Sequence, residues 1–439
     1  MKNNQVITRF PPSPTGFLHL GRARTALFDY LFAKKNNGKM IFRFEDTDKA
    51  RSKKEFEDSM IESLKWLGIS WDNEVIERQS ERTDIYKKYL RKMVEENKAY
   101  ISKEKIEEGE KAGQENEVVR FRNPNVKITF TDLIRGDITF DTTELGDFII
   151  ARNIDEPLYH LTVVVDDFEM GITHIIRGDD GISNTPRQIL IQQGIGAPKP
   201  IYAHLPLILA PDKSKLSGRH GAVSVNEYQK NGYLPQALIN YLALLGWNPG
   251  TEQEIFSIEE LIQAFDLSKV QKAGAVFNIE KLNWFNKQYI SKMSDDEFSA
   301  HAKNFVSKNI SNKILPLIKE KISYFGEIES LLNGELSFVD GIGSYEKESL
   351  KWKQEKDLVN TKEYLKMIIE KLNSIEDFSK ENVKATLWPL AEEKGKGNIL
   401  WPMRFALSGK EKSPDPFIIS EILGKQETIK RLKFAHELL

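Results

Sequence analysis

The chain has 439 residues, of which 29% are charged and 40% apolar, and this predicts a globular protein of two to four domains. A net charge of −2 argues against a generally basic nucleic-acid binder, although the 63 lysines and arginines leave room for local basic surfaces. Because there is no cysteine, disulfides, thiolate catalysis and cysteine-ligated zinc are excluded, and we expect no structural zinc.

The start of the chain is polar, and no apolar run approaches the length of a membrane span. We therefore expect no signal peptide and no membrane contact. The expected location is the cytoplasm, or an organelle matrix after removal of a targeting peptide.

Residues 5–24, Q-V-I-T-R-F-P-P-S-P-T-G-F-L-H-L-G-R-A-R, begin with an apolar, β-favouring run that predicts a short buried strand. Three prolines then interrupt both ladders and helices, and apolar residues at helical spacing predict a helix. His19 and Gly21 therefore lie where the chain enters the helix. Free N–H groups and a partial positive charge at such a place favour phosphate, to which His19 could also donate. Gly21 would let a flat ligand approach the backbone.

Residues 40–44 predict a second strand, and residues 53–67 predict a second helix. The order strand, helix, strand, helix is typical of a parallel α/β fold, whose active site lies at the carboxyl ends of the strands. Arg9, His19 and Glu45 each come just beyond a predicted strand end. We therefore expect these three side chains to lie close together.

Residues 118–151 contain several short β-favouring runs, which predict a β-rich unit inserted into the α/β fold. The α/β pattern returns at Tyr159, with strands expected at residues 161–165 and 173–177. From residue 226 the apolar spacing is mostly helical to the end of the chain.

Two motifs resemble one known family. P-S-P-T-G-F-L-H-L-G resembles the first signature of class I aminoacyl-tRNA synthetases, in the form seen in glutamyl-tRNA synthetases of bacterial and organellar type. K-L-S-G-R-H-G-A-V-S-V resembles their mobile loop, which embraces the ATP phosphates. Mobile cations that arrive in the transition state can stabilise the negative charge growing on pyrophosphate. Gly218 replaces the second lysine of that loop, so the charge must come from Arg219, from Lys213 or from no residue.

The resemblance implies an α/β Rossmann-type catalytic domain with an inserted acceptor-arm α/β domain, followed by a helical stem-contact region and an all-α anticodon-binding domain. Near the end, W-P-M-R-F-A-L-S-G-K and L-G-K-Q-E-T-I-K-R-L resemble the final helical region. The predicted bounds, in that order, are residues 1–95 with 152–225, then 96–151, 226–310 and 311–439.

The resemblance also implies the site residues. Catalysis of adenylate formation would rest on His19, Gly21, Lys215, Ser217 and Arg219. ATP would be bound by Pro14, Thr15, Gly16, His19, Gly21, Lys215, Leu216, Ser217 and Gly218. Glutamate would be bound by Arg9, Ser13, Glu45, Tyr159 and Arg177.

The physical need for the two arginines is clear, since a side-chain carboxylate favours a bidentate, permanently charged guanidinium. Glu45 matches the family residue that holds the α-ammonium group. From the residues alone, a structural ion pair between Arg9 and Glu45 on neighbouring strands is an alternative. The family usually has Glu, Asp and His after Arg-Gly, whereas this chain has Asp179, Asp180 and Gly181. The sequence therefore does not predict which side chains form the pocket wall at these positions.

The function implied is ATP-dependent activation of L-glutamate to glutamyl-adenylate and its transfer to the 3′ end of tRNA(Glu), with Mg²⁺ accompanying ATP. Charging of tRNA(Gln) stays open, and a monomer is expected. Lysines and arginines of the tail are interleaved with tryptophans, and Arg404 in P-M-R-F-A-L-S-G is placed near the anticodon loop. The alternative for Arg404 is a surface arginine that caps a helix.

Three other kinds of protein are alternatives. Glutaminyl-tRNA synthetases usually read P-E-P-N-G where this chain reads P-S-P-T-G. The short paralogue that glutamylates a modified tRNA base lacks the helical tail. A non-catalytic tRNA-binding relative would be expected to lose His19 or the Lys215 loop.

Overall fold

The computed structural model describes residues 5–105, 115–217, 219, 221, 223–307, 310–353 and 357–439. Gly218, where the sequence departs from the family loop, lies outside the described residues. The chain divides into two compact units, Met1–Tyr289 and Ile290–Leu439. The four domain bounds drawn from the sequence stay a prediction.

The strands all belong to the first unit. Their bounds are β1 Ile7–Phe10, β2 Lys39–Phe44, β3 Glu77–Arg78, β4 Ala99–Lys105, β5 Glu115–Phe121, β6 Lys127–Asp132, β7 Gly136–Asp141, β8 Phe148–Ala151, β9 His174–Gly178, β10 Ile201–Leu205, β11 Ile208–Leu209 and β12 Ala275–Val276.

Helices alternate with these strands and then make up the second unit. Those that begin in the first unit are α1 Leu20–Lys35, α2 Lys54–Trp66, α3 Thr83–Glu95, α4 Tyr159–Glu169, α5 Thr185–Ile195, α6 Val225–Lys230, α7 Pro235–Leu244, α8 Ile258–Ala264 and α9 Ile279–Lys292. Those of the second unit are α10 Asp295–Ala302, α11 Leu315–Lys321, α12 Ile328–Asn333, α13 Val359–Asn373, α14 Lys380–Lys394, α15 Lys396–Ser408 and α16 Pro416–Leu438.

The strands that alternate with helices pair in parallel, as the strand–helix order predicted. Strands β1, β2 and β3 pair in that order, and β9 pairs with β10. The backbone N–H of Thr173, just before β9, donates to the carbonyl of Ile7 in β1 at 2.9 Å. The carboxyl ends of β1, β2 and β9 therefore meet at one edge.

The chain returns from α1 to β2 through a close approach at Gly38. A Cβ at this position would lie 2.2 Å from the carbonyl oxygen of Val6. Only glycine fits there, and its N–H caps α1 by donating to the carbonyl of Ala33 at 2.8 Å.

The inserted β-rich unit is divided between two sheets. Strands β4, β5 and β8 form a separate antiparallel sheet. The hairpin of β6 and β7 is antiparallel and instead joins the sheet of β9 and β10, because β6 pairs in parallel with β10, with Asp132 opposite Tyr202. One continuous core, which includes Phe121, Phe130 and Tyr202, joins the insert to helices α3, α4 and α5.

The strand expected at residues 161–165 is wrong, since these residues lie in helix α4. The sequence L-T-V-V-V is entirely buried, so it has no exposed face whose period could separate a helix from a strand. Packing of α4 against α5 overrides the β preference of valine. Arg9 also differs from expectation, because it lies within β1 rather than beyond its end.

In the second unit, helices α13 to α16 pack against one another around a core that includes Leu365, Leu387, Met403 and Leu432. Gly395, with a positive φ of 97°, separates α14 from α15.

Candidate active site

A cavity of about 1100 Å³ lies at the carboxyl ends of β1, β2 and β9. The fold brings to it most of the residues predicted for the site: Arg9, Ser13, Thr15, Gly16, His19, Gly21, Glu45, Tyr159, Arg177, Lys215, Leu216, Ser217 and Arg219. Pro14 is not among the lining residues, and its carbonyl accepts the N–H of Lys53 at 3.1 Å.

One wall is the start of α1. His19 is the extended residue before the helix, and the Leu20 N–H donates to the carbonyl of Val223 at 2.9 Å. Within the described chain, no acceptor is recorded for the N–H of Gly21, and the first turn carries no acidic side chain. A Cβ at Gly21 would meet no protein atom within 4 Å, so this end of the helix is open to an anion.

The protonation of His19 suits a hydrogen-bond donor rather than a cation. Burial lowers its pKa, and the positive charges of Arg22 and Lys215 lower it further. The imidazole is therefore neutral at pH 7 and carries one N–H.

The lysine loop forms the opposite wall. Leu216 is buried, and its N–H donates to the carbonyl of Ile208 at 3.1 Å, which ties the loop to β11. The Nζ atom of Lys215 lies 3.7 Å from the carboxylate of Asp180, with both side chains largely exposed. Arg219 lines the cavity, whereas the exposed Lys213 does not, which distinguishes the two cations proposed to replace the missing lysine.

Two guanidiniums line the cavity, and Arg9 is buried whereas Arg177 is partly buried. Arg9 donates to Asp167 at 3.4 Å and to the carbonyl of Ile176 at 3.3 Å. Burial lowers the pKa of Arg177, and the charge of Arg9 lowers it further. Because the two cations repel each other, a bound carboxylate would stabilise both.

Arg177 is held by four protein acceptors. Its Nε donates to Nε2 of His204 at 3.0 Å, and its Nη1 donates to Oε1 of Gln188 at 2.7 Å. Its Nη2 donates to the carbonyl of Gly181 at 3.0 Å and to Oγ1 of Thr185 at 2.8 Å. A guanidinium has five N–H donors, so one N–H on Nη1 has no recorded protein partner among the described residues.

Glu45 does not pair with Arg9, so within the described residues the alternative of a structural ion pair between them is wrong. Its partner is Arg43, at 3.1 Å. Burial nevertheless raises the pKa of Glu45, and the negative charge of Asp167 adds to this. A cation bound beside Glu45 would lower that pKa again, which makes it a suitable partner for an ammonium group.

Tyr159 and Ser13 also line the cavity. Tyr159 is the first residue of α4, and burial raises the pKa of its hydroxyl. Ser13 precedes α1, and its carbonyl accepts a hydrogen bond from Arg22 Nη1 at 2.9 Å.

The structure accounts for both departures after Arg-Gly. The shorter acid, Asp179, forms an ion pair with Arg135, which follows β6. The ring missing at Gly181 is replaced by the side chain of Arg177, because a Cβ at position 181 would lie 2.5 Å from Arg177 Nε.

Sequence reasoning missed His204, Gln188, Asp180 and Arg22. None carries a local signal, because each acquires its role only from neighbours that the fold brings to it. The sequence R-G-D-D contains Asp180, but the sequence does not show that Asp180 contacts Lys215.

In the second unit, Arg404 lies on α15, half-buried, and its Nε atom is buried with no hydrogen-bond partner in the part of the chain described. Trp401 is structural, since its Nε1 donates to the carbonyl of Ser349 and its ring packs 5.4 Å from Trp352. Trp388 instead lies beside Lys384 and Lys396, with their Nζ atoms 5.1 and 4.5 Å from the ring centre.

No helix in the described ranges is both long and apolar enough to cross a membrane. Nor do the described side chains include a group of three His, Asp or Glu residues that could hold a metal ion.

A parallel α/β sheet, an open helix start with its histidine and a facing lysine loop are the features of a class I aminoacyl-tRNA synthetase. Residues 5–117 and 101–284 match the catalytic domain of the class I tRNA synthetases for E and Q, and residues 279–436 match an anticodon-binding domain. The chain belongs to the glutamate–tRNA ligase family of this class.

Several similar proteins support that placement. A glutamate–tRNA ligase of Carboxydothermus hydrogenoformans is 41% identical over 97% of this chain and 99% of its own length. One of Aquifex aeolicus is 42% identical, with 98% of each chain covered. The crystal structure of a glutamate tRNA ligase from Elizabethkingia meningosepticum in complex with its amino acid is 33% identical, covers 99% of both chains and superposes with a TM-score of 0.87.

Proposed function

We propose that this chain is a glutamate–tRNA ligase, which activates L-glutamate with ATP and transfers it to tRNA(Glu). The observation that carries the proposal is that one cavity is lined both by the open start of α1 and by two arginines, Arg9 and Arg177. In the first step the α-carboxylate of glutamate attacks the α-phosphorus of ATP, and pyrophosphate leaves. In the second step a terminal hydroxyl of the tRNA attacks the activated carbonyl, and AMP leaves.

Activation would proceed by positioning and charge stabilisation, with no covalent nucleophile. The N–H groups at the start of α1, the imidazole of His19 and the cations of Lys215 and Arg219 would surround the phosphates. The exposed ion pair of Lys215 with Asp180 is weak, so the lysine can leave it for a developing charge.

Glutamate would be selected by charge at both ends. Arg9 and Arg177 would bind the side-chain carboxylate, and Glu45 would bind the α-ammonium group, with Tyr159 and Ser13 beside them. Two guanidiniums favour a carboxylate over a neutral amide, which favours glutamate over glutamine.

Mg²⁺ would arrive with ATP and supply positive charge to its phosphates. Because the described residues include no ready-made group of three metal ligands, phosphate oxygens would be its main partners. The lack of a structural zinc, a monomeric state and a cytoplasmic location stay predictions from the sequence.

The helical second unit would bind the anticodon end of the tRNA. The unpartnered Nε of Arg404 and the pair of lysines beside Trp388 offer cationic and planar groups for phosphates and unstacked bases. Whether the enzyme also charges tRNA(Gln) is tested by adding a transcript of that tRNA to an aminoacylation assay.

The test is ATP–pyrophosphate exchange with each amino acid, with and without total tRNA. Exchange should depend on glutamate. His19→Ala should slow it by about 10²-fold or more, as loss of one transition-state donor does, with little change in the KM for glutamate. His436→Ala, a half-buried histidine near the end of α16, is the matched control. Exchange by His19→Ala within a few-fold of wild type would contradict the role of His19.

A further inference from the structure

A line of buried polar groups runs from the insert hairpin to the cavity. The Nδ1 atom of His204 lies 2.7 Å from the carboxylate of Asp132, and its Nε2 accepts the N–H of Arg177 Nε at 3.0 Å. His204 and Asp132 are both shielded from solvent, at 0% and 2% exposure.

The direction of these hydrogen bonds is fixed by chemistry. Arg177 can only donate, so Nε2 of His204 must be the unprotonated nitrogen and Nδ1 must carry the hydrogen. Burial lowers the pKa of His204, which keeps the ring neutral. Although burial raises the pKa of Asp132, the hydrogen bond from His204 and those from two backbone N–H groups bring it below its usual value. The line therefore reads carboxylate, neutral imidazole, guanidinium.

The carboxylate of Asp132 also accepts hydrogen bonds from the backbone. It ends β6, and its Oδ1 accepts the N–H groups of Ile134 and Arg135 at 2.9 Å each. Its Oδ2 accepts the backbone N–H of His204 at 3.0 Å. The carboxylate thus fixes both the turn after β6 and the imidazole on β10.

We propose that His204, held by Asp132, is a positioning residue for substrate selection, which orients the guanidinium of Arg177 toward the glutamate side chain. His204 engages Nε, so the plane of the guanidinium cannot swing, and the remaining N–H of Nη1 keeps a defined direction. The inference rests on the proposed function, because it needs Arg177 to bind the substrate.

Two isosteric replacements separate positioning from mere structure. In His204→Gln the amide oxygen can take the place of Nε2 and accept from Arg177, but the donor to Asp132 is lost. In His204→Asn the amide N–H₂ can take the place of Nδ1 and donate to Asp132, but the contact with Arg177 is lost. A residue that only joined the hairpin to β10 would tolerate Asn better than Gln.

The readouts are the KM values for glutamate and for ATP in exchange with tRNA present, together with thermal unfolding. We expect His204→Asn to raise the KM for glutamate about tenfold, since an acceptor for a charged donor is lost, and to leave the KM for ATP within about twofold. His204→Gln should stay within about threefold of wild type for both substrates.

Tyr202→Phe is the matched control, because it removes a buried hydrogen bond to Gln192 from the same strand but keeps the ring over which the guanidinium of Arg177 lies, 5.8 Å from the ring centre. Its KM for glutamate should not change. Should neither replacement of His204 fold, Asp132→Asn carries the test. An amide N–H₂ in place of Oδ2 would donate to Nδ1 of His204, which moves the imidazole hydrogen to Nε2 and sets it against the Arg177 donor. This variant should raise the KM for glutamate several-fold and spare that for ATP.

The inference is overturned if His204→Gln raises the KM for glutamate more than His204→Asn does, or if both variants keep the wild-type KM. Where neither folds, a wild-type KM for glutamate in Asp132→Asn overturns it. Failure of the proposed function looks different, since the wild-type chain would then show no glutamate-dependent exchange at all.

Discussion

The side chain of Arg177 occupies the space that any side chain at Gly181 would need. The Gly181 carbonyl accepts Arg177 Nη2 at 3.0 Å, and a Cβ at position 181 would lie 2.5 Å from Nε and 2.7 Å from Cδ. An arginine end could usually move aside, but this one is held by four acceptors. Loss of the family histidine at position 181 is therefore coupled to where this arginine lies.

Gly181→Ala should weaken glutamate binding, because the methyl group displaces the guanidinium. We expect a KM for glutamate raised about tenfold, equivalent to roughly 1.4 kcal/mol, with the KM for ATP unchanged. Gly343→Ala, where a Cβ would meet no atom within 4 Å, is the matched control. A KM for glutamate equal to that of the control would show that Arg177 can give way without loss.

The lysine loop contains two candidates for the missing charge, and only Arg219 lines the cavity. Arg219→Gln should slow activation by about tenfold or more, because a cation near the leaving pyrophosphate is lost. Lys213→Gln removes an equal charge from the same loop and should change the rate little.

Gly218→Lys restores the family residue and completes this test. If a charge is simply missing, the rate of pyrophosphate exchange should rise. A rate that stays level would mean that Arg219 already supplies the charge.

Asp29 is a buried carboxyl on α1, and Arg9 is the residue whose charge and backbone N–H oppose the cost of burying it. Burial raises its pKa well above the usual value, only partly opposed by the charge of Arg9. An acid whose pKa is raised by folding loses stability as pH rises above its unfolded pKa of about 4. The contribution of Asp29 to the free energy of unfolding should therefore fall from about pH 4 upward, until the pH passes the folded pKa of this group.

Asp29→Asn removes that cost, so the variant should gain stability relative to wild type as the pH rises, by about 1 kcal/mol or more at pH 7. Urea unfolding at pH 5 and pH 8 measures the difference. Asp84→Asn is the control, because the side chain of Asp84 is fully exposed. An equal difference between Asp29→Asn and wild type at both pH values would contradict the assignment.

The second unit should contribute phosphate contacts to tRNA binding. A chain that ends at residue 293, just after α9, should keep the catalytic sheet yet lose aminoacylation of full-length tRNA. The salt dependence of tRNA affinity should also become shallower, since log K changes by about 0.7 to 0.9 per log unit of salt for each phosphate contact. Equal aminoacylation of tRNA and equal salt dependence of tRNA affinity in the full-length and shortened chains would show that the second unit does not bind the tRNA.

The family, the parallel α/β fold and most of the residues that line the cavity can be predicted from the amino-acid sequence. These features are local: a proline-rich break before an amphipathic helix predicts a strand-to-helix turn, and the loop after Asp212 is recognisable by its string of residues. Topology did the rest, because parallel strands bring their carboxyl ends to one edge, and so Arg9 and Glu45 could be placed together.

How those side chains are held depends on contacts that form only in the folded chain. The run at residues 161–165 is buried on all sides, so its period could not reveal that it is a helix. Asp132, Arg177 and His204 lie on three different strands, β6, β9 and β10. The hydrogen bonds between their side chains can form only once these strands pair. Likewise, the glycine at position 181 looked like a missing ring, and packing shows it to be the space that Arg177 fills. Burial and hydrogen-bond partners are properties of contacts, and contacts between distant residues are set by the fold.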